Sequence, residues 1–156
     1  MKHFIVALLI GLLTGLPAQA LESRAGWEVH DSAKSYAEMV SAVRAAVRAA
    51  PINIVTQASA SDGARMQGIT IPGNRVLGLY RNDYARRMLA ASVAAGIEAP
   101  IRMYVTENAN GTATLSYKTP SAIFAPYFDQ GGEDLRALAE ELDGVFARIA
   151  ADALAD

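Results

Sequence analysis

Ile101-Arg102-Met103-Tyr104-Val105-Thr106-Glu107-Asn108-Ala109-Asn110-Gly111-Thr112-Ala113-Thr114-Leu115-Ser116-Tyr117 is the stretch whose reading decides the fold. Ile101, Met103 and Val105 alternate with Arg102, Tyr104 and Thr106, and Ala113, Leu115 and Tyr117 resume the same two-residue period after the turn residues. Successive side chains of a strand point to opposite faces, so each half reads as a strand with one apolar face. The connection fixes how they pair. A three-residue loop of Ala109, Asn110 and Gly111, with Gly111 left-handed, sets Asn108 against Thr112 and Val105 against Leu115. A two-residue Asn-Gly turn would instead set Val105 against Ser116 and split the apolar residues between the two faces. The three-residue loop is therefore predicted. A doubly wound nucleotide-binding sheet would need a helix here and a glycine-rich turn after the first strand, and the sequence has neither.

Working outward, Ala25–His30 reads as a first strand, followed by a helix opened by Ser35 and Glu38 at capping-box spacing, with Tyr36, Met39, Val40, Val43 and Val47 at helical intervals. Pro51 ends that helix, and Ile52–Gln57 supplies a second strand. Residues 58–74 are rich in Ser, Gly, Asp and Pro and read as a loop, with a short helical turn at 64–67. Arg75–Tyr80 reads as a buried strand. Asn82 then caps a helix whose inner face is Tyr84, Met88, Leu89, Ala91 and Ala95, with Gly96 as its C-cap. A last helix over about 133–152 carries the stripe Leu135, Leu138, Leu142, Val145, Phe146 and Ile149, weakened slightly by Gly144. The predicted order is β-α-β-β-α-β-β-α: an α+β domain with a mainly antiparallel sheet and its helices on one face.

The N-terminus suggests an address. Met1-Lys2-His3 is a short basic segment, Phe4–Leu16 is almost wholly apolar, and Pro17-Ala18-Gln19-Ala20 ends in a small-x-small pattern. An apolar run this short falls below the roughly 20 residues of a bilayer-spanning helix, so 1–20 is expected to be a signal peptide cleaved after Ala20. Residues 21–156 would then form a single domain in the periplasm or outside the cell, with no membrane span and, for want of cysteine, no lipid anchor. Lys2 is the only charge that cleavage removes, which leaves 13 basic and 16 acidic side chains, a net charge of −3. A weakly acidic surface does not attract nucleic acid. With no cysteine there is neither disulfide nor thiolate site, and 52% hydrophobic residues suffices for a core to hold the domain together.

Catalytic signatures are sparse. After cleavage His30 is the only histidine, next to Asp31, and sequence adjacency does not make a triad. Met39, Met88 and Met103 lie on predicted apolar faces and read as core. No cofactor is expected, and His30 is the weak alternative for a metal ligand.

Several segments resemble a known family, catalogued as domain of unknown function 302, over roughly 28–127. They are Arg75-Val76-Leu77-Gly78, the helix from Asn82 to Ala95, Gly96-Ile97-Glu98-Ala99-Pro100-Ile101-Arg102-Met103-Tyr104-Val105, Asn110-Gly111-Thr112, Leu115-Ser116-Tyr117-Lys118-Thr119-Pro120 and Phe124-Ala125-Pro126-Tyr127. The resemblance implies a compact α+β domain similar to the TATA-binding-protein-like group and carries no agreed activity.

The polar residues gathered around this block are Arg81 and Asp83, Glu98 and Arg102, then Tyr104, Tyr117 and Tyr127. Guanidinium donors beside tyrosines suit a small polar or anionic ligand, while Glu98–Arg102 and Asp83–Arg87 could equally be surface ion pairs. Pro120–Phe128 is unusually apolar for a connection and is expected to fold back over the core rather than stand exposed. The expected function is an exported small-ligand-binding or accessory protein. The alternative is a small periplasmic enzyme using a carboxylate or tyrosine as acid or base. Docking on another exported protein, or self-association, are the remaining partner readings.

Overall fold

The computed structural model describes residues 21–155, so the expected signal peptide lies outside the described residues. The deciding hairpin forms as read. Strand β4 (Ile101–Glu107) and β5 (Thr112–Lys118) pair with Val105 opposite Leu115, the Asn108 N–H donates to Thr112 O over 2.8 Å, and Gly111 takes φ 83°. Only a residue without Cβ adopts that left-handed angle cheaply.

Three further strands complete one antiparallel sheet: β1 (Trp27–Ser35), β2 (Asn53–Ala58) and β3 (Asn74–Tyr80), in the order β1-β5-β4-β3-β2. The strand nearest the N-terminus therefore lies at an edge beside β5. It extends five residues beyond the predicted His30, through a register irregularity between Ser32 and Ser35.

Alternation assigns the faces. Leu77, Leu79, Ile101, Met103, Val105, Ala113, Leu115 and Tyr117 form the buried face. Against it pack α1 (Tyr36–Ala49), α3 (Asn82–Ala91) and the long α5 (Phe128–Leu154), with α2 (Ala60–Met66) at the β3 side. The α1 cap is a complete capping box: Glu38 N donates to Ser35 Oγ over 3.4 Å, and the Ser35 N–H donates to Glu38 Oε2 over 2.8 Å. In α5 the stripe Leu135, Leu138, Leu142, Phe146 and Ile149 is buried, while Val145 is half-buried. Gly132 interrupts the helix at φ 57°, ψ −148°, so its continuous part begins where the sequence placed it, at Glu133.

Two local readings need correction. Asn82 is the first helical residue of α3; the cap position is Arg81, which provides no side-chain cap bond. The helix ends at Ala91, because Ser92 turns to φ −151°, ψ 115°, and a 3-10 turn at Ala94–Glu98 follows. Gly96 lies inside that turn and is not a left-handed C-cap, and Leu89, assigned to the inner face by its spacing, is exposed, as are Val93 and Ile97.

The apolar connection is helical as α4 (Pro120–Phe124), then a 3-10 turn at Ala125–Tyr127. Thr119 caps α4 by accepting from Ala122 N, and Pro120 suits the first turn, where its missing N–H costs nothing. Phe124 is 1% exposed, so this segment closes over the core and the exposed-patch reading fails.

Candidate functional site

The opposite sheet face follows from register. Trp27, Val29 and Asp31 on β1 stand beside Lys118, Ser116 and Thr114 on β5, and Tyr104 and Thr106 on β4 stand beside Ser116 and Thr114. One pair further along, Arg102 is level with Gly78 of β3, and Val76 with Tyr104. Trp27, Val76, Arg102, Tyr104, Lys118 and Ile123 of α4 line a groove of about 210 Å³ here, with Tyr117 at its border.

The electrostatics of this groove are one-signed. Arg102 and Lys118 are exposed and form no ion pair among the described residues. Lys118 Nζ lies 5.7 Å from the Trp27 ring centroid, and the guanidinium of Arg24 lies 5.2 Å from it. Cations over an indole gain from its quadrupole and retain unused hydrogen-bond donors. On the same face Ser116 is buried between Val29 and Tyr104, and its hydroxyl finds no partner among the described residues. Three cations, an indole, a phenol and apolar walls can hold a small anion with an apolar body.

The seven residues singled out in the sequence divide into three places. Arg102 and Tyr104 enter the groove, and Tyr117 borders it while its ring packs 5.6 Å from that of Phe146 on the helix side. Arg81 is engaged elsewhere: it pairs with both carboxylate oxygens of Asp83, donates to Pro51 O over 2.7 Å and lies 4.1 Å from the Tyr84 ring centroid. The hydrogen bonds from Arg81 hold the Asp83 carboxyl down at about 2. Glu98 accepts from the Tyr127 hydroxyl over 2.8 Å, and this bond to a carboxylate raises the Tyr127 pKa. Neither Glu98–Arg102 nor Asp83–Arg87 forms: Arg87 pairs with Glu141 at 2.7 Å.

His30 is half-buried on β1, with Nε2 3.5 Å from Glu28 Oε2, and no group of three or more metal-binding side chains assembles among the described residues. Tyr117 is 3% exposed; burial, then the charges of Glu28 and Asp143, push its hydroxyl up to about 12.

Sequence reasoning missed Trp27, Lys118 and Arg24. Lys118 was within reach, since the hairpin register carried one step past Met103–Tyr117 sets it level with Arg102. Trp27 and Arg24 join only through the β1–β5 pairing, which no local pattern announces.

A family model described as "Domain of unknown function DUF302" matches residues 28–151. The chain belongs to the DUF302 family. Among solved structures it is similar to the crystal structure of an uncharacterized conserved DUF302 protein from Bacillus stearothermophilus, at 17% identity, with a TM-score of 0.68 over 84% of this chain and 97% of that one. At that identity the likeness speaks for the fold alone, and it shows that the sheet and its helices are the DUF302 architecture. No curated protein matches the chain.

Proposed function

We propose that this DUF302 chain is an exported binding module that holds a small anionic ligand on the open face of its sheet. One observation carries the reading: Arg24, Arg102 and Lys118 converge around Trp27 with no carboxylate partner among the described residues. Arg48, Arg86 and Arg148 also lack an acidic partner among the described residues, so it is the gathering of three cations at one indole-walled groove, and not the lack of pairing alone, that supports the reading. The apolar walls formed by Val76 and Ile123 suit a ligand with a hydrocarbon or aromatic body behind its negative group. Export follows from the apolar, small-x-small N-terminus; the mature protein would begin at Leu21.

The enzymatic alternative needs an acid or base poised near neutrality. Tyr117, at about 12, stays protonated, and Asp83, at about 2, stays ionised and tied to Arg81. Neither favours turnover.

Trp27 is the chain's single tryptophan, so its fluorescence reports on this groove alone. Benzoate, a planar anion of suitable size, is expected to change that fluorescence saturably in the wild type and not in Arg102→Ala. An absent response, or one that Arg102→Ala and Lys118→Ala leave intact, overturns the reading. Native mass spectrometry of protein recovered from a periplasm checks both the Leu21 start and any co-purified ligand.

A further inference from the structure

A second groove lies on the helix side of the sheet, between edge strand β1 and the C-terminal half of α5. It measures about 480 Å³ and is lined by Glu28, His30, Tyr117 and Asp143 over a floor of Ala147, Ala150 and Ala151. That is room for a small organic molecule. The space exists because α5 carries alanine at three positions facing β1, where larger residues would fill it.

Its chemistry is opposite to that of the open face. Two carboxylates line it, and no Lys or Arg does. Asp143 uses Oδ1 to accept from Ser121 N over 2.9 Å, which leaves Oδ2 free, and Glu28 has His30 as its one ion-pair contact among the described residues. Independently, Tyr117 is only 3% exposed, and its hydroxyl, which is not fully sealed from solvent, makes no hydrogen bond to another described residue. The charges of both Glu28 and Asp143 reach that hydroxyl and help to raise its pKa, so the two carboxylates act on a common point. The rings of His30 and Tyr117 stand 6.3 Å apart, centroid to centroid, and both border the groove beside the two carboxylates.

We propose that this β1–α5 groove binds a small organic cation, an ammonium group on a short apolar or aromatic body, with Glu28 and Asp143 receiving the charge, Tyr117 donating or accepting a hydrogen bond and the alanines of α5 seating the body. The site lies on the opposite side of the sheet from the anion groove, with Tyr117 bordering both, and the proposal does not rest on the anion reading.

The test is an amide NMR titration of the purified protein with 2-phenylethylammonium, with 2-phenylethanol as the neutral isostere and phenylacetate as the anion. The ammonium probe is expected to move resonances of 28–30, 117–119 and 143–154 saturably, at least fivefold more tightly than the alcohol. Glu28→Gln or Asp143→Asn should weaken it at least fivefold. Ala151→Leu, on an exposed helical position that keeps every charge, should block it. Arg102→Ala, at a residue that does not line this groove, should leave the affinity for the ammonium probe unchanged. Equal binding of the alcohol, shifts confined to the open sheet face, or no saturable shift at all overturns the proposal.

Discussion

Gly78 and Thr56 meet across the β2–β3 pairing so closely that a methyl on Gly78 would overlap Thr56 Oγ1 and lie 2.9 Å from Pro100 Cγ. Gly78→Ala is therefore expected to destabilise the fold by about 1–3 kcal/mol, the usual cost of forcing an extra carbon into a packed site. Thr56→Ala should recover part of that loss in the double variant. Urea denaturation of the four proteins checks it; additive effects would show that the two residues do not share the space.

Ser35→Ala removes the α1 cap and should cost about 1 kcal/mol, read as a lower urea midpoint at unchanged slope. Gly144 lies exposed in α5, and a Cβ there meets nothing within 4 Å. Gly144→Ala should accordingly stabilise by about 0.5–1 kcal/mol, a few degrees in Tm.

Phe124→Ala empties a fully buried site where α4 closes over the core, and a loss of about 3–5 kcal/mol is expected by thermal or chemical denaturation. A loss below 1 kcal/mol would mean that α4 is not a structural lid.

Asp83 titrates lower in the folded protein than its ordinary 3.8, at about 2, because Arg81 hydrogen-bonds its charged form. A depressed carboxylate stabilises above its unfolded pKa, and that contribution disappears as the pH falls through the folded value. Wild type should thus lose stability between about pH 4 and pH 2 through this group, and Asp83→Asn should flatten that portion of the curve. The pair is solvent-exposed, so the change should also shrink in high salt.

Arg102→Ala and Lys118→Ala, both at exposed positions without ion pairs among the described residues, should leave the unfolding free energy within about 0.5 kcal/mol of wild type while abolishing the benzoate response of Trp27. Loss of binding accompanied by unfolding would point instead to a structural role.

Much of this architecture was legible because it is local. The hairpin register needed only the alternation of Ile101–Val105 and Ala113–Tyr117 with Gly111 between them, and the start of α1 needed only Ser35 and Glu38. Where α3 ended was not legible: its apolar spacing continues through Val93, Ala95 and Ile97, and only the extended backbone at Ser92 stops it. The helix α2 was hidden by Ser61, Asp62 and Gly63, residues that favour turns, and is capped in the structure by Ser59, which accepts from Asp62 N. The candidate site was half legible. Arg102 and Tyr104 share a strand face by alternation alone, whereas Glu98, close to them in sequence, turns to the distant Tyr127, and Arg81 turns to its neighbour Asp83.

The edge position of β1 makes the groove a late event in folding. Residues 27–35 have no sheet neighbour until 112–118 exist, so a nascent or truncated chain ending before Thr112 cannot place its first strand. Closing so long a loop costs entropy before any contact rewards it, which slows such pairings relative to the β4–β5 hairpin. Trp27 and Lys118 come together only in that last pairing. The proposed binding surface is thus assembled by joining the first and the last strand of the sheet, and a chain that presents it is one whose sheet is already finished.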